Sequence, residues 1–408
     1  MADEAVGVYG GVDTHKEVHV AAAADQAGRV LATASFGADP AGYRRLAEWL
    51  GSFGPVVRVG VEGTGSYGAG LTRHLVGSGV EVVEVNRPNR QMRRRRGKSD
   101  TVDAEAAARA ALNGEAATVP KGGDGIVESI RAIRVVLCST RAHRTRISNQ
   151  IRDLIVTAPD RLRSALEPLT TAQRTARCAR FRPGDPTEPA EAAKIALRTL
   201  ARQYQALDAD LDELRRHLDK LTNTANPALR AAKGIGADTA SILLIAAGDN
   251  PARLTTEAAF AALCGASPVE ASSGKTTRHR LNPGGNRQAN HALWRIAMVR
   301  LATCPRTRAY AARRQTEGKS RREIIRCLKR YIAREVFALL ADPHHTNSAD
   351  NPGELRHRRQ AAGLSLAHAA DQLNTWPATI SVIERGKAPH HPLIPAYRDW
   401  LNTLQPAA

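Results

Sequence analysis

The stretch "VGVYGGVDTHKEVHVAAAAD", Val6–Asp25, decides how the chain is read. An apolar run that tolerates two adjacent glycines ends in an acid, Asp13. "EVHVAAAAD" and then "GRVLATASF" follow at hairpin spacing, which predicts three antiparallel strands. Outward from there, "DPAGYRRLAEWLGSFG" reads as a helix capped by Asp39,. "VVRVGVEGTG" reads as a buried strand ending in Glu62, "SYGAGLTRHLVGSG" as a short helix and "VEVVEV" as another buried strand. "MRRRRGKSDTVDAEAAARAAL", Met92–Leu112, then places a block of arginines before an alanine-rich helix. Three hairpin-spaced strands followed by helix, strand, helix, strand, helix predict an α/β unit with a mixed sheet and helical faces.

Composition narrows the partners. The 408 residues carry a net charge of +19, and a basic excess of that size points to a polyanion. No run of 18 apolar residues suggests a spanning helix, and the N-terminal residues lack the pattern of a secretory signal. The expectation is therefore a cytoplasmic, nucleoid-associated protein with no membrane role. The 5 cysteines are scattered without zinc spacing,. Aromatics are only 4%, which weakens any reading built on base stacking.

Beyond residue ~125 the strand signals vanish. Leu197, Leu200, Tyr204, Leu207, Leu211, Leu214, Leu218 and Leu221 alternate spacings of three and four, a heptad stripe,. With an earlier stripe from Ile130 to Leu154, it predicts two long helices parted by the proline-bearing "RFRPGDPTEP". The stripe suits either a hairpin within the chain or a coiled coil that pairs subunits into a dimer or tetramer; the second is the expectation adopted. The domains expected are 1–118 (α/β), 125–222 (coiled-coil helices), 226–342 (helical and basic) and 352–404 (a small helical tail).

The acids carry the chemistry. Asp13 and Glu62 end buried strands, the edge where open α/β sheets gather ligands. Asp100 and Asp103 share one helix face, with Cβ atoms about 5–6 Å apart. Carboxylates that close repel unless a cation lies between them, and hard divalent cations prefer oxygen donors. Two Mg²⁺ ions about 3.5–4 Å apart clamp the attacking and leaving oxygens of a phosphodiester. Arg93, Arg94, Arg95, Arg96 and Lys98 would hold the anionic backbone beside them. His15, next to Asp13, is read as a surface turn residue.

The motifs "GGVDTHKEVHVAA", "VGVEGTGSYGAGL", "VNRPNRQMRRRRGKSDTVDAEAAARAA", "GIGADTASILLIAAGD" and "SSGKTTRHRLNPGGNRQANHAL" resemble, in order and spacing, the DEDD insertion-sequence transposases of the IS110 type. The resemblance covers roughly residues 6–340. It implies a RuvC-like domain of ribonuclease-H type, with Asp13, Glu62, Asp100 and Asp103 as its four catalytic, metal-binding acids, and Mg²⁺-dependent DNA strand cleavage and exchange. It implies a serine nucleophile in the C-terminal transposase domain, in a Ser-Gly context. Ser273, directly before Gly274, is the choice, with Ser272 as the alternative; Lys275, Arg278 and Arg280 flank it. Where family members carry a lysine and an arginine around the Gly-Asn step, this chain has Pro283 and Asn290. A structured bridge RNA that guides the enzyme is also implied.

"AAKGIGADTASILL" resembles a helix-hairpin-helix turn, in which Gly234 and Gly236 let backbone N–H groups approach a phosphate,. The tail "ELRHRRQAAGLSLAHAADQLNTWPATISVIERGK" resembles a Cro/repressor-type helix-turn-helix. There Ser365 would cap the second helix, Pro377 would open the third, and Ala369, Leu373, Ile380 and Ile383 would face the core. The third helix offers no Arg, Asn or Gln for a bidentate base contact. Arg356, Arg358, Arg359, Arg385 and Lys387 would instead meet phosphates. Two rivals stand beside this reading. An actin-like ATPase shares the sheet but needs a second phosphate loop that is absent downstream. A non-catalytic dimeric DNA-binding regulator explains the charge and leaves the four acids idle.

Overall fold

A computed structural model of the chain describes residues 7–85, 99–116, 118–250, 253–270, 272–274, 279–280, 282, 284–342, 352–385, 388 and 391–404. The strand β1 (Val8–Thr14) lies at the centre of a five-stranded sheet. It pairs antiparallel with β2 (Val18–Ala24), which pairs antiparallel with β3 (Val30–Gly37). On its other side β1 runs parallel to β4 (Val56–Glu62), and β4 parallel to β5 (Val82–Val85). The sheet order is β3-β2-β1-β4-β5, the mixed sheet expected. A two-residue turn suffices for antiparallel neighbours, whereas the parallel pairs need helical crossovers. These are α1 (Pro40–Gly51) and α2 (Ala69–Gly77). Asp39 caps α1, accepting the Gly42 N–H at 2.7 Å, and Pro40 sits where its missing N–H costs nothing,.

The two faces of the sheet are packed differently. Val8, Val12, Val59 and Val61 bury against Leu46, Leu50, Leu71 and Leu75 of α1 and α2. The opposite face takes α3 (Asp100–Leu112), whose apolar contacts with it are alanines: Ala104 and Ala108 over β2, and Ala107 and Ala111 over β5. Glycines let α3 come that close. A Cβ on Gly11 would lie 2.1 Å from the Ala108 nitrogen and 2.2 Å from the Ala104 oxygen, and one on Gly60 would lie 2.5 Å from the Ala107 oxygen. These obstacles are backbone, which cannot rotate away. Gly11→Ala is therefore expected to cost about 3 kcal/mol or more, the upper end of overpacking, whereas Gly51→Ala, with nothing within 4 Å of its added Cβ, should be close to neutral. Urea unfolding of the two variants measures the difference.

Past the sheet, α4 (Ile126–Val156) and α7 (Pro189–Ala225) form a long antiparallel hairpin, with α5 (Asp160–Leu166) and α6 (Thr171–Ala179) at its far end. Here the expected subunit seam is corrected. Leu197 packs with Ile147, Ile151 and Ile155 of α4, and Leu211 and Leu218 pack in one core with Ile130 and Leu137. Leu200, Tyr204, Leu207, Leu214 and Leu221 fill in around them, half-buried. Arg144 of α4 adds an ion pair to Asp208 and lies 5.6 Å over the Tyr204 ring. A second subunit would have to displace α4 to reach the stripe, so the stripe closes a hairpin within the chain.

The base of this hairpin shares its core with the following helices: α8 (Pro227–Ala231), α9 (Ala237–Ala247), α10 (Glu257–Leu263), α11 (Arg287–Thr303), α12 (Pro305–Thr316) and α13 (Arg321–Ala341). The border expected between 222 and 226 thus falls inside one apolar cluster. A short ribbon, β6 (Val269–Glu270) paired with β7 (His279–Arg280), projects between α10 and α11.

The tail folds as α14 (Pro352–Ala361), α15 (Leu366–Gln372), α16 (Pro377–Glu384) and α17 (Leu393–Thr403) around Leu355, Ala369, Ile380, Ile383 and Tyr397. Ser365 caps α15 by accepting the His368 N–H at 3.1 Å, and Pro377 opens α16. Arg359 is a correction. It is 6% exposed and grips Glu384 with two hydrogen bonds, at 2.6 and 2.9 Å, while the Tyr397 hydroxyl donates to the same carboxylate. A guanidinium committed to a buried carboxylate holds the tail together and is not offered to a phosphate. Among the described residues no helix is long and apolar enough to cross a membrane.

Candidate active site

Strand alternation places the acids. Gly11 faces α3, so Asp13, two residues on, faces the same side; Gly60 and Glu62 do likewise on β4,. The register pairs Gly11 with Gly60 and Val12 with Val61, which brings Asp13 and Glu62 to the ends of adjacent parallel strands. The Thr14 hydroxyl donates to the Glu62 carbonyl at 2.8 Å and ties those ends together. Across from them α3 begins: Ser99 caps it, accepting the Val102 N–H at 3.3 Å, and Asp100 and Asp103 occupy its first turn. Acids there are favoured by the helix dipole. Because the alanine face of α3 lies directly on the glycines of the sheet, its first turn stands over the strand ends.

Asp13 is 7% exposed and Asp103 3%, while the Asp100 side chain is half exposed. Burial raises the pKa of Asp13 above the ordinary carboxylate value, and the Asp103 and Asp100 charges push the same way; His15 opposes them. His15 is the exposed residue of the turn after β1 that the sequence suggests, but it also touches the acids. Its Nε2 lies 3.2 Å from Asp13 Oδ2 and 3.4 Å from Asp100 Oδ1. The donor atoms of Asp13, His15 and Asp100 all fall within 4.8 Å of one another. Crowded, partly desolvated carboxylates on a rigid sheet–helix junction are a donor set that fits a hard divalent cation.

Arg93, Arg94, Arg95, Arg96 and Lys98 fall outside the described residues, as do Lys275, Arg278 and Lys387. Ser272 and Ser273 follow β6 and are exposed, with Gly274 after them at φ +54°. Arg280 is exposed on β7. The serines thus belong to the helical part of the chain and take no part in the core beneath the acids. Gly234 adopts φ +81° and Gly236 precedes α9. Beside them a cavity of about 480 Å³ is lined by Arg230, Lys233, Arg295 and Asp238. Burial pushes the Asp238 carboxyl up, but Arg134, at 2.7 Å, and Arg295 outweigh it and leave its pKa below the ordinary value. Arg385 is exposed after α16, its Nε donating to the Ser381 carbonyl at 3.0 Å.

Sequence reasoning missed one more cation. Asn290 donates to the Cys264 and Gly265 carbonyls, at 2.9 Å each, and accepts from Lys329 Nζ at 2.8 Å. Lys329 is 8% exposed, and burial, with Arg326 nearby, lowers its pKa below the usual lysine value. A lysine amino group thus stands at Asn290, delivered from α13.

Comparison with known proteins gives two separate family matches. Residues 10–158 match a DEDD-type transposase family model, and residues 226–312 match the "Transposase IS116/IS110/IS902 family". The "Insertion element IS110 uncharacterized 43.6 kDa protein" of Streptomyces coelicolor is 29% identical over 173 residues, which span 42% of this chain and 39% of that protein. The two family matches together account for more than half of the chain.

Proposed function

The chain belongs to the IS110 family of transposases, and from that premise we propose that it cuts and exchanges the DNA strands of an insertion sequence. The observation that carries the reading is the placement of Asp13 and Asp103, both buried, with Asp100 and the end of β4 at one sheet–helix junction. Asp13, Glu62, Asp100 and Asp103 would hold two Mg²⁺ ions, which when bound supply charge stabilisation at the scissile phosphate. Ser273 is the nucleophile: its Oγ forms a bond to phosphorus as the P–O bond of the DNA strand breaks. The serine proton leaves to solvent and the departing oxygen takes one up. The phosphoserine link keeps the bond energy for rejoining.

The remaining residues bind. Arg93, Arg94, Arg95, Arg96, Lys98, Lys275, Arg278 and Arg280 hold backbone phosphates near the two chemical groups, and the turn at Gly234 and Gly236 offers backbone N–H groups to another. A structured guide RNA is the second polyanion; the +19 charge supports it in sign. We read 1–118 as the RuvC-like unit, 125–342 as a helical body whose later part, 226–342, bears the serine, and 352–404 as a helix-turn-helix that tethers DNA through Arg385, Lys387 and neighbouring cations. Strand exchange needs more than one active site, so a dimer or tetramer is expected, joined elsewhere than at the 197–221 stripe. The regulator reading is not favoured, because it gives buried Asp13 and Asp103 no task.

Supercoiled DNA carrying the element ends, incubated with the protein and its flanking RNA, should be nicked in Mg²⁺ and left intact in EDTA. Nicking that persists in EDTA overturns the metal-dependent reading; binding without nicking under all conditions favours the regulator.

A further inference from the structure

We propose that His15 is a ligand of the metal centre, and that its nitrogen biases the site toward transition metals such as Mn²⁺ over Mg²⁺. The inference rests on the metal reading above and adds to it a residue outside the four acids. Its ground is geometric. Ligands on adjacent corners of an octahedral ion, each about 2.1 Å from the metal, stand about 3.0 Å apart. His15 Nε2 lies 3.2 Å from Asp13 Oδ2 and 3.4 Å from Asp100 Oδ1, within a few tenths of an ångström of that edge. Two of the three edges thus match, and the third, between Asp13 and Asp100, is no longer than 4.8 Å, which leaves room for one ion among the three donors.

The position is built by the backbone. His15 follows β1, two residues after Asp13 and so on the same face, and its N–H donates to the Val18 carbonyl at 3.2 Å, closing the turn into β2. The ring therefore reaches over the strand end toward the first turn of α3. Its side chain is about half exposed, 49%, which leaves the far side of such an ion open to water or to a phosphate oxygen. The other metal-ligating side chains named at the junction, among the described residues, are carboxylates, which suit Mg²⁺ and Mn²⁺ alike. Imidazole is the softer donor, and affinity for nitrogen rises along the first transition row. A site of oxygens and one nitrogen discriminates between two ions that oxygens alone treat similarly.

The test uses the full chain, freed of metal and titrated with MnCl₂ or MgCl₂. Electron paramagnetic resonance counts bound Mn²⁺, and pulsed measurements read ¹⁴N coupling to it. The wild-type protein should show ¹⁴N coupling. His15→Ala should lose the coupling and bind Mn²⁺ at least about tenfold more weakly, since loss of even an outer-shell partner of a metal ligand costs about 10–100-fold, while Mg²⁺ affinity changes less than twofold. His15→Gln, which restores an oxygen donor but no imidazole, should recover part of the affinity and none of the coupling. Bound Mn²⁺ that is lost in Asp13→Asn yet shows no ¹⁴N coupling, with affinity unchanged in His15→Ala, overturns the role of His15 and leaves the carboxylate centre standing. Failure of the wild-type protein to bind Mn²⁺ or Mg²⁺ at the acids overturns both.

Discussion

Asp13→Asn is expected to lower strand cleavage by at least about a thousandfold while leaving nucleic-acid binding intact. Metal-held charge stabilisation is worth several kcal/mol, and each ~1.4 kcal/mol is a factor of ten in rate. Asn keeps the shape and removes the charge that would hold the ion. The same substitution should move stability the other way. Folding raises the pKa of Asp13, through burial first and then through Asp103 and Asp100. A carboxyl shifted upward favours the folded state at low pH, and that contribution is lost as pH rises through its folded-state value. At neutral pH without metal the ionised group is therefore a cost, and Asp13→Asn should melt at a higher temperature than the wild type in EDTA. Added Mg²⁺ should raise the melting temperature of the wild type and not that of the variant. A variant that still cleaves, or that is less stable in EDTA, contradicts the role given to Asp13.

Ser273→Ala should abolish the covalent protein–DNA adduct on denaturing gels, with binding retained. Truncating a nucleophile leaves the metal centre and the basic residues in place, so only the bond-forming step is lost. The exposure of Ser273, with the left-handed Gly274 behind it, makes Ala a substitution the fold tolerates, so a missing adduct reports chemistry and not unfolding. Ser272→Ala should keep the adduct. An adduct that survives in Ser273→Ala and vanishes in Ser272→Ala moves the nucleophile one residue back.

Much of the α/β unit was legible because its signals are local. Strand periodicity, hairpin spacing and the Asp39 cap all act within a few residues, and an acid at a buried strand end marks a site edge whatever packs above it. The leucine stripe shows the limit. A heptad pattern states that a face is covered; which helix covers it depends on α4, some sixty residues away, whose own stripe skips positions. Arg359 looked like a phosphate contact because Glu384, its partner in the core, is 25 residues distant. Lys329 stands in no motif and reaches Asn290 across 39 residues. His15 carried a local signal, its place two residues after Asp13, but its value emerges only once α3 brings Asp100 over the same strand end.

A crystal of the protein soaked in Mn²⁺, with anomalous diffraction recorded at the manganese edge, tests the metal centre directly. Anomalous peaks are expected at the junction of β1, β4 and the first turn of α3, in contact with Asp13 and Asp100 and lost in Asp13→Asn. A well-ordered junction without a peak, or manganese bound only elsewhere on the chain, would contradict it.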